Sequence, residues 1–508
     1  MAKPSEKLAE SLEILHQRQE QGSVAIRSGD LTRTHRERLC RNGFLQEVIK
    51  GWYIATRPNE TAGESSAWYA SFWQFCAAYL DHLKGKDWCL SPEQSLSLHA
   101  ENWTVPRQLL VRATKARNNI TALPQGTSLL DIESSLPDAE NIVEKNGLRL
   151  FSLPAALIAC PPRTFLQNQT DIRTALAIVS DASIVLKPLL EGGHSTIAGR
   201  LAGAFRNIGR DRIADNILST MRSAGYEIRE NDPFETRMQL NFSAREQSPY
   251  ANRIRLMWQE MRGQIIDRFP EAPGMPIDTK EYLKKVDAMY VTDAYHSLSI
   301  EGYRVSRELI DKVRSGDWNP DSIDNDNDRD QQDAMAARGY WQAYQTVQHS
   351  IGTVLSNENP GVVADNDHST WYREMFAPGV AAGLLRPSDL AGYRNAPVFI
   401  RRSRHVPPSR ESVRDAMPVL FDLLREETEP SVRAVLGHFI FVYIHPYIDG
   451  NGRMGRFLMN VMLASGGYPW IIVPVEQRAN YMAALEEASV NKNIVPFADF
   501  LSTLINKE

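Results

Sequence analysis

Apolar residues recur at helical spacing from the start of the chain: Leu8, Leu12 and Leu15 mark one face of a helix that ends at Gly22. The polar stretch "DLTRTHRERLCRNG" predicts a second helix, with Asp30 as its N-cap and a stop at Asn42-Gly43. Alternating apolar and polar positions in "FLQEVIKGWYIATRP" then predict a hairpin turning at Lys50-Gly51. Helices followed by a hairpin is the order of a winged helix-turn-helix, placed at residues 1–60. Residues 61–235 mix strand and helix signals, then run into the long helical stretch "HSTIAGRLAGAFRNIGRDRIADNILSTMRSAGY". The glycines at 199, 203 and 209 lack the GxGxxG spacing of a dinucleotide loop, so close helix packing is expected, with Arg200, Arg206, Arg210 and Arg212 on a basic outer face. The charged turn around Pro233 marks the boundary to a third segment.

Residues 236–508 carry helical periodicity almost throughout, with two interruptions. Asp324, Asp326 and Asp328 imitate the opening of a calcium loop, but Arg329 and Met335 stand where its Gly and Glu belong, so a solvated loop is expected. In "AGYRNAPVFIRRSRHVPPSRESV", a short alternating strand at Pro397 to Arg401 and a Pro407-Pro408 stop predict a hairpin projecting from a helical body. The expected fold class is therefore mainly α: an all-α C-terminal core with a β-hairpin flap, preceded by an α+β winged helix and a mixed α/β middle segment.

At 508 residues the chain is too long for one ordinary core, which fits two or three domains. Its net charge of -5 gives no whole-chain attraction to nucleic acid or acidic membranes. Between Arg27 and Arg57, however, seven Arg and Lys face three acids, a local excess that points to duplex DNA contact through residues 27–57, or to a protein-interaction module with an arginine-rich face. Cys40, Cys76, Cys89 and Cys160 show no CxxC pair, so neither a disulfide framework nor a zinc site is expected, and a reducing cytoplasm is the simpler location. No apolar run reaches the roughly 20 residues that span a bilayer, so no membrane partner is expected. The N-terminal part resembles the winged helix of type IV abortive-infection antitoxin-like regulators, in "RSGDLTRTHRERLCRNGFLQEVIKGWYI" and "CLSPEQSLSLH".

The densest chemistry lies at "HPYIDGNGRMGR", His445 to Arg456. Before it, Pro430 to Ile444 is apolar nearly all round, as expected of the buried central rod of a bundle. After it, helical spacing resumes through Phe457, Leu458, Val461 and Met462 and stops at Gly466-Gly467. A Gly-rich turn at a helix start offers free backbone N–H groups and a positive dipole end, and Arg453 and Arg456 lie three apart on the first turn: a polyphosphate site. Asp449 adds a carboxylate suited to magnesium beside phosphates, Asn451 an amide for a phosphoryl oxygen, and His445 a base for an incoming hydroxyl.

This segment resembles the signature of the Fic (filamentation induced by cAMP) family, His-Pro-Phe-x-[Asp/Glu]-Gly-Asn-Gly-Arg-x-x-Arg, with Tyr447 in place of Phe. The resemblance implies transfer of AMP from ATP to a Ser, Thr or Tyr hydroxyl of a target protein. His445 would be the general base and Asp449 the Mg2+ ligand. Gly450, Asn451 and Gly452 would hold the α-phosphate region, Arg453 the β-phosphate and Arg456 the γ-phosphate. It further implies a flap at residues 393–405 that pairs with the target segment, and an adenine contact at Tyr481 in "RANYMAALEEAS".

Upstream, "HSLSIEGYRVS" puts Ser297 and Glu301 one helical turn apart, followed by Gly302. It resembles the family's inhibitory motif, [Ser/Thr]-x-x-x-Glu-[Gly/Asn], in the class that carries it before the core, on a helix near 291–302. A glutamate paired with Arg456 would deny that guanidinium to the γ-phosphate, so low basal activity is expected. Removal of AMP from a modified protein, another nucleotide donor, and a DNA-binding regulator whose Fic part senses nucleotide all remain open, as does a homodimer.

Overall fold

A computed structural model of the protein describes residues 4–58, 66–234, 248–317 and 328–505. The chain divides into two compact units: Met1–Arg253 together with Phe399–Val406, and Ile254–Val398 together with Pro407–Glu508. The division falls inside the helix Pro249–Ile266, whereas the boundary expected at 235/236 lies outside the described residues.

The first unit opens with the helix Pro4–Glu20 and a three-stranded antiparallel sheet of β1 (Ala25–Arg27), β2 (Leu45–Ile49) and β3 (Trp52–Ala55), in the order β1-β3-β2. The hairpin expected at Lys50-Gly51 forms, with Gly51 at φ +82 as the tight turn requires. The short helix Arg33–Arg41 lies between β1 and β2, capped by Thr32, whose side chain accepts from the His35 amide; Asp30, the cap expected from sequence, instead accepts from the Arg27 amide.

A second sheet holds β4 (Trp88–Leu90), β5 (Gln108–Ala113), β6 (Ile120–Ala122) and β7 (Ser128–Glu133) in the order β4-β5-β7-β6, with β5 and β7 parallel. The hairpin of β8 (Ile142–Lys145) and β9 (Leu148–Phe151) follows. The adjacent core is aromatic: Trp68, Phe72, Phe75 and Trp88 are buried, and Trp68 satisfies its ring N–H by donating to Thr127 Oγ1 at 3.0 Å. The long helical stretch after His194 is two helices, Ser195–Asn207 and Asp211–Ser223, broken at Gly209, which takes φ +73. Close packing explains Gly199 and Gly203, since a Cβ at either would collide with the backbone of Arg229 or Asn231. The basic outer face does not form as expected: Arg200 is 8% exposed and its guanidinium lies over the Phe165 ring, which offers the buried cation an attractive aromatic face. Arg206 is ringed by Asp211, Asp215 and Glu230. Arg253 and Asp171, both fully buried, form an ion pair, and Asp171 also accepts from Ser97 Oγ and Asn102 Nδ2.

The second unit is helical. Its rod, Pro430–Ile444, is buried on almost every side, as the sequence implies, and the helices Thr279–Ile300, Asp328–Leu355, Pro360–Ala381, Arg410–Glu426 and Asn451–Ala464 belong to the same unit. The Asp-rich loop, with Asp324 and Asp326, lies outside the described residues, and Asp328 begins a helix.

The strand expected over Pro397 to Arg401 is absent, and no ladder forms anywhere in 393–405. A turn replaces it, with Arg402 at φ 62, and the carbonyl of Ala396 is taken by the Arg394 side chain. Residues 399–406 are built into the first unit: the Val105 amide donates to the Arg404 carbonyl at 2.9 Å, His405 is buried, and Val406 packs against the aromatic core.

Candidate active site

The apolar rod ends where the chain turns left-handed: His445, at φ 54, caps it and donates its amide to the Phe441 carbonyl at 3.0 Å. A non-glycine residue in this conformation is disfavoured by about 1 kcal/mol or more, so its surroundings must hold it there. The ring Nδ1 lies 3.1 Å from the Val442 carbonyl. A carbonyl only accepts, so Nδ1 carries the hydrogen and the lone pair is on Nε2, the form a general base needs. Burial pushes the imidazole down to about 4, so it stays neutral at physiological pH with its Nε2 lone pair free to take a proton.

The loop after His445 is closed by Asn451. Its Oδ1 accepts from the Tyr447 amide and its Nδ2 donates to the Tyr447 carbonyl, each at 2.9 Å. Both polar atoms of Asn451 are thus bonded to the loop backbone. Tyr447, the departure from the family pattern, is buried and stacks on Tyr372 with ring centroids 3.8 Å apart.

Gly450, at φ +80, starts the helix Asn451–Ala464 with no capping side chain, so the first-turn amides are unanswered from within the helix. Asp449 accepts from the Gly450 amide at 2.6 Å and from Arg453 Nη2 at 3.2 Å, and its side chain is 63% exposed. Arg453 is buried, with its guanidinium carbon 5.1 Å from the centroids of both the Tyr303 and Phe376 rings. Sequence reasoning missed both rings; that Tyr303 directly follows the Glu301-Gly302 pair was the one available signal.

Arg456 faces the helix Thr279–Ile300. Its Nε donates to Ser297 Oγ at 2.9 Å, and its Nη2 donates to the Ser297 carbonyl at 3.1 Å and to Glu301 Oε1 at 2.8 Å. Burial alone would favour the neutral forms of both partners. Their mutual attraction outweighs that, with Arg453 adding to the pull on Glu301 alone, so Glu301 titrates below its ordinary value and Arg456 above its own. A Cβ on Gly452 would lie 2.3 Å from Glu301 Oε1 and 3.2 Å from Arg456 Nη1, so only glycine lets the carboxylate rest against the helix start. Arg456 Nη1 and Arg453 Nε are buried donors with no hydrogen-bond partner among the described residues. Gly302, at φ +93, turns the chain away after Glu301.

Beneath this pair, Asp293 is buried one turn before Ser297, accepting from Tyr340 Oη at 2.6 Å and Trp470 Nε1 at 3.2 Å; burial pushes it up to about 6. Tyr481 is buried, with its hydroxyl 2.8 Å from His438 Nε2, so it is packed beside the rod. Arg478 donates to the Ile300 carbonyl at 2.8 Å, tying the helix Arg478–Asn491 to the end of the helix that carries Glu301.

Residues 368–463 match the Fic/DOC family, and this stretch is a Fic domain. The chain is 26% identical over 248 residues to "Protein adenylyltransferase Fic" of Nematostella vectensis, covering 48% of this chain and 53% of that protein. It is 36% identical over 129 residues to the protein of the same name from Drosophila willistoni, covering 25% of each. A solved structure of Fic-1 from C. elegans aligns over 67% of this chain and 89% of that one, at 17% identity and a TM-score of 0.37. The chain thus spans between a quarter and about half of the length of these curated relatives.

Proposed function

We propose that the Fic domain transfers AMP from ATP to a hydroxyl of a target protein and that Glu301 holds it inactive by occupying Arg456. The observation that carries this reading is the position of the Glu301 carboxylate. It lies at an uncapped helix start, bonded to a buried arginine with a further donor unanswered, where a phosphate oxygen would find the same partners.

In the transfer, the target hydroxyl attacks the α-phosphorus while His445 Nε2 takes its proton. The new bond is phosphorus to hydroxyl oxygen. The bond that breaks joins the α-phosphorus to the bridging oxygen, and pyrophosphate leaves with that electron pair. Arg453, fixed between two rings, stabilises charge on the β-phosphate, and Arg456 holds the γ-phosphate once Glu301 has moved. Gly450 and Gly452 keep the helix start clear for the α-phosphate, and Asn451 acts by holding the loop in shape. Tyr481 acts through the packing around Arg456 and His438.

Asp449 suits magnesium: a single exposed carboxylate at the rim fits an ion that completes its shell with phosphate oxygens and water, and among the described residues no cluster of three or more His, Cys, Asp or Glu forms a protein cage. When bound, the ion would neutralise phosphate charge.

The arginine-rich helix Arg33–Arg41 supports duplex DNA contact by residues 27–57, since the Arg33 and Arg41 side chains are 84% and 81% exposed. The four cysteines are free, three of them buried, which suits a reducing compartment such as the cytoplasm. No helix among the described residues is long and apolar enough to cross a membrane.

Incubation with labelled ATP tests the transferase reading. The Glu301→Gly variant is expected to label itself or a partner, and the Glu301→Gly/His445→Ala variant to label nothing. Salt-sensitive duplex binding with no adduct in either would favour a nucleotide-sensing regulator instead.

A further inference from the structure

Arg394 lies outside the Gly-rich motif, and nothing in its local sequence, "YRNAP", singles it out. It is nevertheless 1% exposed, in a stretch that otherwise runs near the surface. Its Nε donates to the His445 carbonyl at 2.8 Å and its Nη1 to the Ala396 carbonyl at 3.1 Å, while Nη2 reaches the Pro408 carbonyl. Its backbone amide donates to the Pro446 carbonyl at 2.9 Å. One residue therefore binds two consecutive carbonyls of the His445 turn and both stems of the loop that leaves this unit at Val398 and returns at Pro407.

Each contact has a physical consequence. His445 is a non-glycine residue in the left-handed region, a conformation that persists only where neighbours over-determine it. The carbonyls of His445 and Pro446 are the atoms that would swing if the turn relaxed, and Arg394 holds both. The planar guanidinium fork sends donors to three separated acceptors at once, which a lysine ammonium on its flexible stem does not do.

We propose that Arg394 is a positioning residue that fixes the left-handed turn carrying His445 and ties it to the two stems of the 399–406 loop. The proposal rests on the adenylyl-transfer reading, in which His445 is the base.

The test uses the full chain in the Glu301→Gly background, with Arg394→Lys added. Transfer to protein is expected to lose about tenfold or more in kcat, because a base misplaced by a fraction of an ångström no longer meets the hydroxyl. KM for ATP should stay within about twofold, because the phosphate-binding arginines are untouched. Should Arg394→Lys fail to fold, Arg394→Gln, which keeps two N–H donors, is measured instead. A readout independent of activity is the titration of the His445 ring by NMR, assigned by its loss in His445→Ala: the Arg394 variant should titrate closer to the ordinary 6.5 as the turn loosens and water enters. Unchanged kcat with an unchanged His445 titration overturns the proposal, and so does a parallel collapse of kcat and ATP binding. If Glu301→Gly forms no adduct at all, the transferase reading fails, and the titration alone decides whether Arg394 holds the turn.

Discussion

Arg456 Nη2 donates to Glu301 Oε1 at 2.8 Å, and both partners are held at fixed points: Arg456 in the first turns of the helix Asn451–Ala464, Glu301 at the end of the helix Thr279–Ile300. Ser297, one turn earlier on that second helix, accepts from Arg456 Nε. With the Ser297 carbonyl, which accepts from Nη2 at 3.1 Å, the latch is a triple contact, and nucleotide must replace all three parts to claim the whole guanidinium.

Ser297→Ala removes the smaller part. A hydrogen bond to a charged donor contributes about 1.5 kcal/mol, so the latch should weaken by roughly tenfold while Glu301 stays in place. Initial rates of labelled AMP incorporation are expected to fall between those of the natural sequence and Glu301→Gly. A rate equal to the natural one would mean that Ser297 only packs.

The pH profile of Glu301→Gly should reveal the half-buried base. Burial pushes His445 down to about 4, against 6.5 for an ordinary imidazole, so the neutral form persists as the pH falls to about 4. Between pH 7.5 and 5.5, kcat is expected to fall less than threefold, where an ordinary histidine would lose about tenfold. The natural sequence should not be relieved by the same acidification, because Glu301 titrates below its ordinary value and its stabilising charge is lost only as pH falls through that lowered range.

Asp293 predicts a slope of the opposite sense in stability. Its carboxyl is pushed up to about 6 in the folded protein from 3.8, so the folded state holds the proton more tightly, and stability falls as pH rises through that window. Asp293→Asn removes this contribution. Denaturant midpoints at pH 4.5 and 7.5 should show the natural sequence losing ground to the variant as pH rises; parallel midpoints would exclude it.

Gly450→Ala tests the helix start. The position has φ +80, and a Cβ there would come 2.8 Å from the Phe376 ring. Left-handed strain alone costs about 1–2 kcal/mol and the ring contact adds to it, so thermal unfolding should shift downward by several degrees.

Much of this site was legible because its chemistry is local. The apolar rod, the Gly-rich turn and the paired arginines lie within 27 residues of one another, and the Ser297 and Glu301 spacing puts both on one helix face whatever surrounds them. What stayed hidden depends on partners far along the chain. Asn451 has the composition of a phosphate ligand, yet its amide closes on Tyr447. The alternation at 397–401 reads as a strand, but a strand needs a neighbour, and this segment instead enters the first unit beside Val105. Arg200 reads as a surface residue on helical periodicity, and only Phe165, 35 positions earlier, explains its burial. The rings of Tyr303 and Phe376 around Arg453 are equally non-local.

The choice of Arg456 between Glu301 and the γ-phosphate is read out by intact-protein mass spectrometry after incubation with ATP and magnesium. An AMP adduct is expected on Glu301→Gly at several times the level on the natural sequence, and none on Glu301→Gly/His445→Ala. Equal modification of Glu301→Gly and the natural sequence, or none on either, would contradict that choice.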